Sequence, residues 1–281
     1  MEPKLEEIRN QQKATWDKFS PGWRKWDEFT MNFLKPMGDA IIQHIHVKPT
    51  DTVLDVATGT GEPGLTIAAK VPQGKVTGQD LSDGMLQVAR EHASQKGLRN
   101  YDTVSCDISE LPFPSATFDA VSCRMGFMFF PDMEKAASEM VRVLKPGGRL
   151  ATSVWAGPAN NFWITAMMGA IGKNVELPPP PPGAPGMFRC AQPGLIADLL
   201  RKAGLKNVTE QVIDRQVAYQ GIDHYWTMMN EVAAPVVAAM SKATEETKMK
   251  IKADLTASLK DRIKTNGLEM PYSSIIVMGE K

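Results

Sequence analysis

Only three cysteines occur in the 281 residues, and Cys106, Cys123 and Cys190 stand too far apart for a CxxC pair or a zinc-ligand cluster. No metal site is expected, and a reducing, cytoplasmic compartment is the simplest reading. Neither sign of charge is in surplus: Lys plus Arg and Asp plus Glu both number 32, a formal net charge of zero. General nucleic-acid binding usually leaves a strongly basic domain, so no nucleic-acid partner is expected. Long apolar runs are also missing. The longest uncharged stretches, such as residues 233–240, fall far below the roughly 20 residues that a membrane-spanning helix needs. The opening Met1-Glu2-Pro3-Lys4-Leu5-Glu6-Glu7 lacks the apolar core of a secretory signal. A soluble monomer or homodimer is the expectation.

What the sequence holds instead is the material of a globular core. Hydrophobic residues are 43% of the chain and charged ones 23%, enough for one sizeable core with an attached cap. Val53-Leu54-Asp55-Val56, Val76-Thr77-Gly78-Gln79-Asp80, Thr103-Val104-Ser105-Cys106, Phe118-Asp119-Ala120-Val121-Ser122 and Leu150-Ala151-Thr152-Ser153-Val154 read as strands bounded by turn residues. Between them, residues 65–71, 85–96 and 133–144 carry apolar positions at helical spacing, and Lys145-Pro146-Gly147-Gly148 breaks the last helix. This alternation predicts a Rossmann-like, doubly wound α/β fold with a mostly parallel sheet, its ligand beyond the carboxyl ends of the strands. Strand-like runs at 207–218 and 273–278 bring the expected sheet to seven strands.

Composition changes outside this core, where all six tryptophans lie. The expected organisation is an N-terminal helical cap at 1–50 and a cofactor-binding core at 51–156. A lid insertion follows at 157–192, with a stiff proline-rich linker at 178–182. The C-terminal part of the sheet, 193–281, is interrupted by a Met- and Lys-rich helical insertion at 222–265. Such additions to a core are where the choice of ligand resides.

The central chemical signal is Val53-Leu54-Asp55-Val56-Ala57-Thr58-Gly59-Thr60-Gly61-Glu62-Pro63-Gly64, a strand running through glycines into a helix. Glycine turns the backbone sharply and lets a ligand approach with no Cβ in its way. Alone, Gly59-x-Gly61-x-x-Gly64 also suits an NAD(P)-dependent oxidoreductase. Three carboxylates tilt the reading: Asp55 before the turn, Asp80 ending the second strand and Asp107 ending the third. A carboxylate after the second strand can accept from both ribose hydroxyls of an adenosine. A pyrophosphate is repelled by such neighbours, whereas the ammonium and sulfonium of S-adenosylmethionine are attracted.

Residues 50–155 resemble the class I S-adenosylmethionine-dependent methyltransferases, most of all the small-molecule group with the ubiquinone and menaquinone C-methyltransferases, a methyltransferase type 11 domain. Four ordered stretches carry the likeness: Leu54-Asp55-Val56-Ala57-Thr58-Gly59-Thr60-Gly61, then Thr77-Gly78-Gln79-Asp80-Leu81-Ser82-Asp83-Gly84-Met85-Leu86, then Leu111-Pro112-Phe113-Pro114 with Phe118-Asp119-Ala120-Val121, and Arg142-Val143-Leu144-Lys145-Pro146-Gly147-Gly148. The resemblance implies S-adenosyl-L-methionine as cofactor, S-adenosyl-L-homocysteine as product, and in-line methyl transfer to a small, partly hydrophobic acceptor. By similarity Asp55, Ala57, Gly59, Thr60 and Gly61 line the methionine and ribose end. Asp80 binds the ribose hydroxyls, Leu81 and Met85 pack the adenine, Asp107 contacts its amino group and Ile108 its ring. Arg124 and Met125 face the methionine moiety and the acceptor. Ala57-Thr58 stands where many relatives have Gly-Cys.

Structural roles compete with several of these. Arg124 can pair with Asp55 or Asp119 instead of a ligand. Trp23, Phe127, Trp155 and Trp226 are candidates for the acceptor side, although burial in a core gives tryptophan and phenylalanine the same spacing. Among the four histidines, His44 and His46 precede the first strand and His92 reads as a solvated helix position. His224, beside Tyr225 and Trp226, is the candidate general base. An activated sulfonium needs alignment and exclusion of water before it needs a base, so methyl transfer does not depend on that histidine. A non-catalytic cofactor-binding scaffold is the remaining alternative.

Overall fold

The computed structural model of the chain describes residues 2–177, 181, 183–265 and 267–281. Most of the proline linker expected at 178–182 lies outside the described residues. Two helices come first, α1 (Glu2–Lys25) and α2 (Asp27–Ile45). The alternating core follows: β1 (Thr52–Val56), α3 (Gly64–Lys70), β2 (Lys75–Asp80), α4 (Asp83–Gln95), β3 (Tyr101–Ser105), β4 (Phe118–Arg124), α5 (Met133–Val143) and β5 (Leu144–Trp155). The remainder is α6 (Phe162–Gly172), α7 (Leu195–Lys202), β6 (Lys206–Tyr219), α8 (Ile222–Val232), α9 (Ala234–Met240), α10 (Glu245–Leu259), β7 (Ile263–Lys264) and β8 (Gly267–Glu280).

The strands form one sheet in the order β3-β2-β1-β4-β5-β8-β6. The four neighbouring pairs from β3 to β5 are parallel, and β5 pairs antiparallel with β8. The reversal of strand order at β1 and β4 is the switch point at which an open α/β sheet leaves a crevice. The sheet has eight strands, one more than expected. The extra one, β7, is a two-residue strand on β8, cut from the end of the expected helical insertion. Gly267 opens β8 at φ +127, and a Cβ there would stand 2.3 Å from the Tyr219 carbonyl oxygen. Only glycine fits this bend, which starts β8 well before the expected residue 273.

That helical insertion is made of three helices, α8, α9 and α10. Pro235 sits in the first turn of α9, where its missing N–H costs nothing, and Thr244 caps α10 by accepting from Thr247 N. Lys145 to Gly148, expected as a free turn, is drawn into β5, with a shift of register between the Phe118 and Ala120 pairings on β4.

The chain divides into two compact units. Met1–Ala156, Pro185–Ile213 and Ser274–Lys281 form the first, and Gly157–Ala184 with Asp214–Ser273 the second. In the first, Val53, Leu54, Val56, Val76, Val121 and Leu150 are fully buried strand positions, covered by side chains such as Leu65, Ile67, Met140 and Ile41. Hydrophobic burial of this kind is worth about 1.5–3 kcal/mol per large side chain, before chain entropy is charged against it. In the second, Tyr225, Met229, Ile251 and Leu255 are buried, and the Tyr225 hydroxyl donates to the Trp163 carbonyl at 2.7 Å. No helix among the described residues is long and apolar enough to cross a membrane.

Candidate functional site

The turn after β1 is built by its own polar side chains. Asp55 is fully buried, and its Oδ2 accepts from Thr58 Oγ1 at 2.6 Å and from Gly64 N at 3.0 Å, while Oδ1 accepts from Ser122 Oγ at 2.6 Å. Thr58 Oγ1 spends its proton on Asp55, so the Tyr101 hydroxyl 2.9 Å away donates to it. Burial pushes the Asp55 carboxyl up to about 6, although the hydrogen bonds from Ser122, Thr58 and Gly64 and the charge of Arg124 pull the other way. The residue expected to line the methionine and ribose end thus faces inward and holds the loop.

The backbone is tightest at the carboxyl ends of β1 and β4. Gly59 lies at φ +56 and Gly61 at φ +114, while Ala57 and Met125 hold left-handed φ of 51 and 60 without being glycine. Such positions cost about 1–3 kcal/mol each for a residue with a Cβ and cluster where a ligand is positioned. A Cβ at Gly61 would meet Leu65 Cδ1 at 2.6 Å, whereas one at Gly59 would meet nothing within 4 Å. Gly61 is needed for packing, and Gly59 leaves its backbone open to whatever approaches. Thr60 is buried, its hydroxyl 3.3 Å from Asp27 Oδ1 on α2.

Asp80, at the end of β2, takes Gly59 N on Oδ2 and Ser82 N on Oδ1, both at 2.9 Å. Burial raises its pKa. The Leu81 amide also acts on this carboxylate, which keeps lone-pair capacity for a further donor. This suits a vicinal diol. Leu81 is half-buried and Met85 buried beside it. Asp107 caps a short helical turn by accepting from Ser109 N at 2.8 Å, and Ile108 is buried behind it. Asp55, Asp80, Gly59, Thr60 and Gly61 are therefore brought together around one turn, with Asp107 at the end of the neighbouring strand β3.

Sequence reasoning missed the part played by α1. Asp17 Oδ1 accepts from Ser82 Oγ at 2.6 Å and from Gly84 N at 3.1 Å, while Lys13 Nζ donates to the Leu81 carbonyl at 3.0 Å. Arg9 stands 3.6 Å from Asp107. These partners lie 65–70 residues apart for Lys13 and Asp17, and no local pattern announces them. His92 was also misread. It is half-buried, with Nδ1 3.0 Å from the Thr60 carbonyl oxygen and Nε2 3.7 Å from Asp27, so it ties α4 to the glycine turn.

On β4, Arg124 pairs with neither expected carboxylate. Asp119 takes Lys145 at 2.8 Å, and among the described residues no carboxylate lies within 4.0 Å of the guanidinium. Its hydrogen-bond partner is the Met31 sulfur, 3.4 Å from Nη2. Met125 donates its N–H to the Ser153 carbonyl at 3.0 Å. Phe127 is fully buried against Phe130, the rings 5.4 Å apart, and fills space between turn and helix. Trp155 is buried against Phe33 at 5.7 Å, and Trp23 stacks edge-on to Trp16 at 6.2 Å. His224 and Trp226 belong to the second unit. There Lys252 lies over the Trp226 ring at 5.9 Å, and burial lowers the pKa of His224.

Comparison with known proteins places this geometry. Residues 53–148 match the family described as methyltransferase domain. A demethylmenaquinone methyltransferase of Thermus thermophilus is 38% identical over 140 residues, 50% of this chain and 53% of the relative. Its counterpart in Deinococcus radiodurans is 41% identical over 111 residues, 40% of this chain and 46% of the relative. The chain spans about half the length of the curated relatives it matches. The solved structure of a putative methyltransferase from Bacillus halodurans shares the fold, with a TM-score of 0.58 at 22% identity over 87% of this chain and 98% of that one.

Proposed function

We propose, starting from residues 53–148 as the core of a class I S-adenosylmethionine-dependent methyltransferase, that this chain moves a methyl group from S-adenosyl-L-methionine to a small, partly hydrophobic acceptor. One observation carries the reading. The Asp80 carboxylate fixes the Gly59 amide at 2.9 Å and still has lone pairs for a diol, while the space above Gly59 is open. A carboxylate next to a bare peptide turn is what receives the vicinal diol and the charged amino-acid tail of such an adenosine.

In this proposal Asp80 holds the ribose, Leu81, Met85 and Ile108 bound the adenine, and Asp107 accepts from its amino group. Gly59, Thr60 and Gly61 pass the amino-acid tail, and Ala57 with Asp55 keeps the turn in shape. The donor supplies an activated sulfonium methyl group and departs as a neutral thioether. The protein's part is to align the acceptor with that methyl and to keep water out. Trp23 and Trp155 supply apolar surface for the acceptor. The names of the relatives support a quinol-like ring as acceptor. The NAD(P) alternative draws nothing from the matched family.

Incubation of the protein with methyl-labelled donor and a panel of hydroxylated aromatic and quinol compounds tests this. Label is expected in a small organic product together with S-adenosylhomocysteine. Retention of all label in the donor, or its appearance in protein or RNA only, overturns it.

A further inference from the structure

The helix α1 lies outside the matched core at 53–148, and one of its faces is polar along its length. Arg9, Lys13, Asp17, Ser20 and Arg24 follow at spacings of four and three, so they share a face. Arg9 faces Asp107, Lys13 meets the Leu81 carbonyl and Asp83, and Arg24 pairs with Glu91 on α4. Arg24 and Asp83 are exposed, where an ion pair contributes little. Asp17 is different. Its Oδ1 accepts from Ser82 Oγ at 2.6 Å, and Ser82 is fully buried.

Ser82 joins three elements. As the cap of α4 its Oγ accepts from Met85 N at 3.1 Å, while its N–H donates to Asp80 Oδ1 at 2.9 Å. A capping serine needs only to accept, so its own proton is available for another partner, and that partner is Asp17. The same Asp17 oxygen accepts at 3.1 Å from the Gly84 amide, one of the first-turn N–H groups that a helix cannot satisfy by itself. A Cβ on Gly84 would stand 2.6 Å from Ser20 Oγ, so glycine there is what lets α1 come this close. Partial burial works against ionised Asp17, but Ser82, Gly84 and Lys13 outweigh it and hold its pKa below the ordinary carboxylate value.

Asp80 in turn is aimed by amides on either side of it, Gly59 N on Oδ2 and Ser82 N on Oδ1. The second of these is only as fixed as Ser82 is. Hydrogen bonds weaken steeply as they bend, so a small rotation of the Asp80 carboxylate is felt by any hydroxyl it receives.

We infer that Asp17 is a positioning residue for the methyl donor: by holding the Ser82 hydroxyl and the Gly84 amide, it fixes the angle at which Asp80 receives the ribose hydroxyls. The inference rests on the methyltransferase reading and adds to that site a residue from outside the core. Asp17 acts through Ser82 and Asp80 rather than by contact. Its loss is therefore felt by a ligand with a ribose diol and not by one without it, whereas a residue that merely fastens α1 would weaken both alike.

Calorimetry on the full chain with S-adenosylhomocysteine and with its 2′,3′-dideoxy analogue tests this. Wild type is expected to prefer the diol about 100-fold. Asp17→Ala should lose about tenfold in affinity for S-adenosylhomocysteine and less than about twofold for the analogue, so the preference narrows. Asp17→Asn keeps an oxygen that can accept from Ser82 and Gly84 and should restore most of the preference. Arg24→Met breaks the pair between α1 and α4 without touching Ser82 and should leave the preference at its wild-type value. Ser82→Ala breaks the same chain at its next link, keeps the amide bond to Asp80 and should narrow the preference likewise, which keeps the test open should Asp17→Ala not fold. Equal losses for both ligands in Asp17→Ala, an unchanged preference, or the same narrowing in Arg24→Met overturns the inference. If wild type binds no S-adenosylhomocysteine, the methyltransferase reading falls first and the inference with it. If wild type binds both ligands equally, the diol contact of Asp80 falls, and the inference again with it.

Discussion

At the carboxyl ends of β1 and β2, polar side chains have found their partners inside the chain, whereas next to them, on β4 and β5, two have not. Asp55 accepts three hydrogen bonds and Asp80 two from the loops they support. Arg124 has a methionine sulfur and Ser153 Oγ has nothing among the described residues. The first arrangement is finished before any ligand arrives, so it spends folding energy on holding a shape. The second leaves the buried Ser153 hydroxyl unpaired, at a cost of about 1–3 kcal/mol.

The largest expected effect is on the finished side. Asp80→Ala removes the support of Gly59 and Ser82 together with the diol acceptor, so S-adenosylhomocysteine affinity by calorimetry should fall roughly 100-fold. Unchanged affinity would dissolve the distinction between the two sides. Gly61→Ala comes next. At φ +114 and 2.6 Å from Leu65 Cδ1, the methyl group should cost about 2–4 kcal/mol in urea denaturation.

Asp55 gives a pH signature. Its folded pKa of about 6 exceeds the ordinary 3.8, so the folded state binds the proton more tightly than the unfolded one. Stability from this group is full below about pH 4 and is lost as pH rises towards 6, a loss on the order of 2 kcal/mol between pH 4.5 and 7. Comparing wild type with Asp55→Asn by urea denaturation at those two pH values should show the difference moving in favour of the variant at the higher pH. A constant difference would mean that the carboxyl is not perturbed.

The sharpest contrast uses one substitution twice on one sheet face. Ser122→Ala takes a donor from a buried carboxylate and should cost about 1.5–3 kcal/mol. Ser153→Ala removes a hydroxyl with no partner and should change stability by less than about 0.5 kcal/mol. Equal costs would show that Ser153 is satisfied after all.

The finished side was also the legible one, for a physical reason. A glycine at φ +56 or +114 and an aspartate closing a strand are demanded by the local backbone, so they stand in the sequence as Gly59, Gly61 and Asp80. The alternation of strand and helix likewise declared the parallel order around β1 and β4. What escaped depended on distant partners. Ser153 looks like any residue of a buried strand until its register with Arg124 is known. The inward aim of Asp55, the grip of His92 on Thr60 and the division of 222–265 into three helices and a short strand follow from packing and capping that no local period encodes. Asp17 and Lys13 meet their partners across 65–70 residues.

Those α1 contacts have an optical consequence. Asp17 grips the turn after β2, and the next residue back, Trp16, lies edge-on to Phe129 at 5.0 Å, just after β4. One rigid rod therefore touches the turns on both sides of the crevice, and its indole sits at the far contact. An occupant that favours the Ser82 turn as α1 holds it is favoured by α1 to the same extent, because coupling free energy is reciprocal. The fluorescence of Trp16 becomes a built-in gauge of that turn.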